Sequence, residues 1–87
     1  MKLLFTIIRD TDCDDTVQTL LAHNIRVTRM ASTGGFLRKG NTTLMSGVED
    51  DSVQSMIDLL RETGDRADET SHRATIFVVD LPYFEQI

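Results

Sequence analysis

Residues 3–8 form a dense apolar run of β-forming types that stops at Arg9 and Asp10, which predicts a buried first strand. Asp10 and Asp12 offer N-cap carboxylates, and Asp14 and Asp15 suit a first helical turn. Cys13, Val17, Leu20, Leu21 and Asn24 recur at helical spacing, so a helix is expected over about 12–23, burying Val17, Leu20 and Leu21. Residues 25–32 then alternate. Ile25, Val27, Arg29 and Ala31 point one way, and Arg26, Thr28, Met30 and Ser32 the other, as in a strand. Three glycines within 33–40 mark a turn or a loop of close approach. Residues 41–48, rich in Thr, Leu, Met and Val, read as the next strand, and the two strands as a hairpin.

Glu49, Asp50 and Asp51 place acids at the positive end of a second helix, whose apolar stripe is Val53, Met56, Ile57 and Leu60. Gly64 is a natural stop, and the polar stretch 65–73 reads as a loop. Residues 74–81 form a last strand, with Ile76 and Val78 on one face and Thr75, Phe77 and Val79 on the other. Pro82 ends it, and 83–87 is a short tail. The order β-α-β-β-α-β predicts an α+β, ferredoxin-like fold: a four-stranded antiparallel sheet with two helices on one face. The second sheet face, carrying Phe77 and Val79 or their neighbours, is too apolar for water, which points to an oligomer.

At 87 residues the chain is expected to be a single domain, 1–87. A chain of this size hides only about 60% of the surface its unfolded form exposes, which again favours assembly. No apolar run approaches the ~18 residues of a membrane span. The run at 3–8 is too short for a signal peptide, so the expected setting is cytoplasmic, without membrane insertion. Cys13 is the one cysteine, which excludes an internal disulfide and a thiolate metal site. The net charge of −5 argues against nucleic acid as a partner. Its distribution changes the picture. Residues 24–48 hold no acid but carry Arg26, Arg29, Arg38 and Lys39, which leaves −9 on the rest of the chain. Such a stretch is either a local anion site or a cluster of solvated charges on a hairpin.

No catalytic motif is present: no Ser-His-Asp spacing, no paired histidines four apart, no P-loop. His23 at a helix end and His72 in a polar loop read as ordinary surface histidines. Cys13 reads as a buried structural thiol, with the neighbouring aspartates raising its pKa. Residues 24–47 are different. Arg26 and Thr28 share a strand face, and Arg26 can fork hydrogen bonds to phosphate oxygens. Gly34 and Gly35 let backbone N–H groups approach a ligand, Phe36 can stack on a base, and Asn41 can both donate to and accept from a purine edge. Two readings fit: a nucleotide-binding hairpin, or a glycine-rich turn whose Phe36 fills the core.

The segments NIRVT (24–28), ASTGGFLRKGNTT (31–43) and GVED (47–50) resemble the cyclic di-AMP receptor proteins of the PII-like signalling superfamily. The closing ATIFVV (74–79) and FEQI (84–87) are similar to that family's last strand and tail. The resemblance spans the chain except about 64–73. It implies a ferredoxin-like fold, a homotrimer, and cyclic di-AMP bound in clefts between subunits, with no cofactor and an unidentified downstream protein partner. It further implies that Asn24, Arg26 and Thr28 contact ligand from the second strand. Gly35, Phe36 and Leu37 would wrap it, Asn41 and Gly47 would meet adenine, and Phe77 and Gln86 would reach it from the last strand and tail. One departure stands out. Family members carry a long insertion between the second helix and the last strand, where this chain has only about 64–73. That bears on signalling output rather than on the ligand site.

Two alternatives define the contrast. One is a PII-like sensor of ATP, ADP or another adenine nucleotide. The other is an acylphosphatase-like enzyme using Arg9, whose flanking Asp10, Asp12, Asp14 and Asp15 would repel a phosphate.

Overall fold

The computed structural model describes residues 1–30, 40–63 and 74–87. In chain order the elements are β1 (Lys2–Arg9), α1 (Asp10–Ala22), β2 (Thr28–Met30), β3 (Asn41–Val48), α2 (Val53–Glu62) and β4 (Ala74–Asp80). A 3-10 turn over Asp50–Ser52 leads into α2. The strands form one antiparallel sheet in the order β2-β3-β1-β4. The chain therefore adopts the ferredoxin-like α+β arrangement that its pattern predicts.

The register sorts the residues into two faces. Leu4, Thr6 and Ile8 of β1 lie opposite Ser46, Leu44 and Thr42 of β3, and opposite Val78, Ile76 and Ala74 of β4. This is the helix-covered face. Leu4, Ile8 and Leu44 are buried there with Cys13 and Leu20 of α1 and Met56 and Leu60 of α2. Each fully buried Leu contributes about 2 kcal/mol of transfer free energy, so this small cluster is the main source of cohesion within one chain. On the other face Leu3, Phe5 and Ile7 lie opposite Gly47, Met45 and Thr43, with Val79, Phe77 and Thr75 beyond them. Neither helix covers it, and Phe77 and Val79 are 48% and 47% exposed.

Four expectations are corrected. Asp10 and Asp12 do not cap α1, because the helix starts directly from β1 with Arg9 at the N-cap and no side-chain cap bond. Neighbours use both carboxylates instead: Thr42 donates to Asp10, and the Arg9 guanidinium lies 3.0 Å from Asp12. Leu21 is 55% exposed, because the buried stripe of α1 runs through Cys13, Thr16 and Leu20. Thr16 tolerates burial by donating its hydroxyl proton to the Asp12 carbonyl at 2.8 Å. The second strand starts at Thr28 rather than at Ile25, since Ile25 and Val27 pack into the core ahead of the ladder, and residues 31 and 32 lie outside the described residues. Finally, Asp50 and Asp51 sit in the 3-10 turn, ahead of the first turn of α2.

The glycine turn at 33–39, the Gly64 stop, the 65–73 loop and His72 lie outside the described residues. Among the described residues no helix is long and apolar enough to cross a membrane.

Candidate functional site

The site begins where α1 ends. Asn24 follows the helix with φ +62°, the left-handed region that Asn tolerates better than most residues. Its N–H donates to the Leu21 carbonyl at 3.0 Å, and that of Ile25 to Leu20 at 2.9 Å, closing the helix with a left-handed turn. The chain then tucks Ile25 and Val27 against the core, so Arg26 between them is turned outward and exposed. The far end of β3 supplies Gly47 opposite Leu3, and Glu49 and Ser52 follow. Together these residues form a cleft of about 380 Å³ lined by His23, Asn24, Arg26, Gly47 and Glu49, with Met1 at its side.

The arginines differ in state. Arg9 is held by Asp12, and Arg29, opposite Leu44 on the helix-covered face, lies 3.0 Å from Asp14. Arg26 has no ion-pair partner among the described residues. Its fork of donors therefore faces the cleft, and a phosphodiester is the geometry it matches. At Gly47 an added Cβ would meet only the Met1 Cε, at 3.5 Å, an ordinary contact. The fold does not demand glycine there, whereas the close approach of a ligand would.

The other predicted residues are spread out. Thr28 lies on the uncovered face opposite Met45, in a cross-strand row that continues through Phe5 to Phe77. That row puts three strand spacings, about 14 Å, between Thr28 and Phe77. Asn41 pairs with Arg9 at the opposite end of β3 from Gly47, about 20 Å along the strand. Gln86 is exposed in the tail after β4. Gly35, Phe36 and Leu37 lie outside the described residues. One chain thus gathers Asn24, Arg26 and Gly47 but separates them from Asn41 and Phe77.

Two features went unread in the sequence. His23, expected as an ordinary surface residue, lines the cleft beside Asn24. Its adjacency to the NIRVT segment was the available signal. Glu49, expected at the start of the second helix, is the N-cap of the 3-10 turn and also lines the cleft. Cys13 is buried as expected, but burial is the leading cause that pushes its thiol up, with Asp14 and Asp10 adding and Arg29 and Thr42 opposing. Among the described residues no group of three or more His, Cys, Asp or Glu could hold a metal.

Comparison with known proteins bears on this geometry. Residues 1–80 match a family model described as cyclic-di-AMP receptor. A solved structure from Pediococcus pentosaceus, described as a functionally unknown protein, superposes with a TM-score of 0.78 at 27% identity, covering 99% of this chain and 96% of that one.

Proposed function

The chain belongs to the cyclic-di-AMP receptor family, and from that premise we propose that it binds cyclic di-AMP in clefts between the subunits of a homotrimer and acts as a non-enzymatic, cytoplasmic signal receptor. The observation that carries the reading is Arg26, without an ion-pair partner among the described residues, in one cleft with Asn24 and Gly47. In this reading Arg26 clamps a phosphodiester, Asn24 and Thr28 add polar contacts, and Gly47 admits an adenine. Gly35, Phe36 and Leu37 wrap the ligand.

The separation of Phe77 from Thr28 supports a shared site. Both lie on the uncovered face, at opposite edges of the sheet. A cleft using both needs the β4 side of one copy against the β2 side of another. Phe77, Val79 and Met30, each more than 40% exposed, supply the apolar surface for that assembly. Asn41 and Gln86 then reach the ligand from other parts of the two-chain cleft. Against the acylphosphatase reading, the Arg9 guanidinium already holds a carboxylate.

Titration calorimetry with cyclic di-AMP, cyclic di-GMP, ATP and AMP tests the ligand. Guanine replaces the N6 donor of adenine with an O6 acceptor and adds an N2 donor, so a site shaped for adenine faces mismatched polar groups. Each mismatch costs about 1–3 kcal/mol. Cyclic di-AMP is therefore expected to bind at least about a hundredfold tighter than cyclic di-GMP, a difference of about 2.7 kcal/mol. Equal affinities, or tighter binding of ATP, would instead mark a sensor of an adenine mononucleotide.

A further inference from the structure

We propose that His23 is a ligand-contacting residue of the same cleft, whose imidazolium supplies a second positive charge beside Arg26 against the phosphodiesters of the ligand. The inference rests on the cyclic di-AMP reading above. That ligand carries two phosphodiester charges, while Arg9 and Arg29 are committed to Asp12 and Asp14, so Arg26 is the one arginine facing the cleft among the described residues.

His23 has the position and the free nitrogen for this role. It is the C-cap residue of α1, where the partly negative carbonyl ends favour a cation. Its Nδ1 lies 2.9 Å from the Thr19 carbonyl. A carbonyl oxygen can only accept, so Nδ1 carries the proton and Nε2 is left for a ligand. A neutral ring offers a phosphodiester oxygen only a lone pair at Nε2, whereas the protonated ring offers an N–H donor. His23 also borders a groove of about 490 Å³ between α1 and α2, so acids reach it from that side.

The charged groups facing His23 are Asp15 from α1 and Glu62 from α2 across the groove, and Arg26, Glu49 and the Met1 amino group across the cleft. The Met1 amino group is held by Asp50 at 2.8 Å. Asp15, Glu62 and Glu49 are anionic and Arg26 is cationic. An arriving phosphodiester brings a further negative charge. An N–H donor at Nε2 exists only on the protonated ring, so forming this contact takes up a proton and affinity is expected to rise as pH falls.

Calorimetry of the whole chain with cyclic di-AMP at about pH 5.5 and about pH 8 reads this out, with His23→Gln identifying the group responsible. The parent is expected to bind about fivefold or more tighter at the lower pH, consistent with a charge-assisted hydrogen bond gained on protonation. His23→Gln should bind with the weaker affinity at both values, and His23→Arg with the tighter affinity at both. Repeating the parent titration near neutral pH in two buffers of different ionisation enthalpy should show net proton uptake on binding, with no variant required. A parent affinity that does not change with pH, zero proton uptake, or a Gln variant that keeps the full pH dependence would overturn the assignment while leaving the ligand intact. Absence of cyclic di-AMP binding at either pH would instead overturn the ligand reading on which it rests.

Discussion

At the β2 edge of the sheet the outward residues are mostly polar: Asn24, Arg26 and Thr28 stand in solvent, followed by Met30, while Ile25 and Val27 turn inward. At the β4 edge, three strands away, Phe77, Val78 and Val79 are all close to half exposed. One edge offers hydrogen bonds and a free guanidinium, the other apolar area. Neither makes a complete pocket alone, since a polar cleft open on one side leaves a ligand hydrated and a bare apolar strand invites pairing. On the proposed reading the difference teaches that the two edges are halves of one device, in which the apolar half would drive assembly by burial and the polar half would give the assembled cleft its chemistry.

The largest expected effect breaks the apolar half. Val79 lies on the uncovered face opposite Leu3 and is not among the expected ligand contacts. Val79→Asp would place a carboxylate in the subunit interface, at a cost of several kcal/mol per copy. Being 47% exposed in the single chain, the position should tolerate Asp without unfolding the monomer. Light scattering is expected to show the proposed trimer for the parent and a monomer for the variant, and cyclic di-AMP binding should fall with it. A Val79→Asp protein that remains trimeric would move the interface elsewhere.

The polar half is probed by two arginines three residues apart. Arg26→Ala should lose about 1.5–3 kcal/mol of binding, a tenfold or greater loss of affinity, with little change in melting temperature. Arg29→Ala should leave affinity unchanged, because its guanidinium lies on the helix-covered face against Asp14. Removing that exposed ion pair should cost at most about 1 kcal/mol of stability. Equal losses of affinity in the two variants would mean that the split between faces does not govern binding.

These same residues show how far the sequence could be read. The runs at 3–8 and 41–48 predicted β1 and β3 closely, because an apolar run and an alternation are local signals that burial reinforces. The facing of Arg26 against Arg29 followed from alternation alone. The rotation of α1 did not, since helical spacing marks a stripe but cannot say whether Leu21 or Thr16 lies at its buried edge. Tertiary packing chose Thr16, which could satisfy its hydroxyl within the helix. The alternation started β2 too early, at Ile25 rather than Thr28, because nothing local signals that Asn24 spends its residue on a left-handed turn. The cleft itself was legible only through resemblance. Gly47 is far in sequence from Asn24 and Arg26, and their meeting depends on the pairing of β2 with β3 and on the turn after α1.

That turn provides the next test. Asn24 has two duties in this account, holding φ at +62° and presenting an amide to the ligand. A left-handed backbone costs a β-carbon residue about 1–2 kcal/mol relative to glycine. Asn24→Ala should therefore lower stability by about 1 kcal/mol, and Asn24→Gly should leave it nearly unchanged. Affinity should drop in both, since both lack the amide. If Asn24→Gly binds as tightly as the parent, the turn is the residue's only duty and the polar edge loses one of its contacts.

The smallest effect is the most diagnostic, because stability and binding should move in opposite directions. Gly47 sits inside β3, where glycine carries an entropic penalty of about 0.5–1 kcal/mol relative to Ala. An added Cβ meets the flexible end of Met1 at 3.5 Å and nothing else within contact distance, so the chain has room for it. Gly47→Ala should thus raise stability by about 0.5 kcal/mol, a shift of a few degrees in the melting temperature of a chain this size. If adenine approaches Gly47 closely, as proposed, the same methyl obstructs it and cyclic di-AMP affinity should weaken. A variant that is more stable and binds unchanged would show that the ligand passes Gly47 at a distance. A variant that loses stability would show instead that the strand, rather than the ligand, requires glycine at this position.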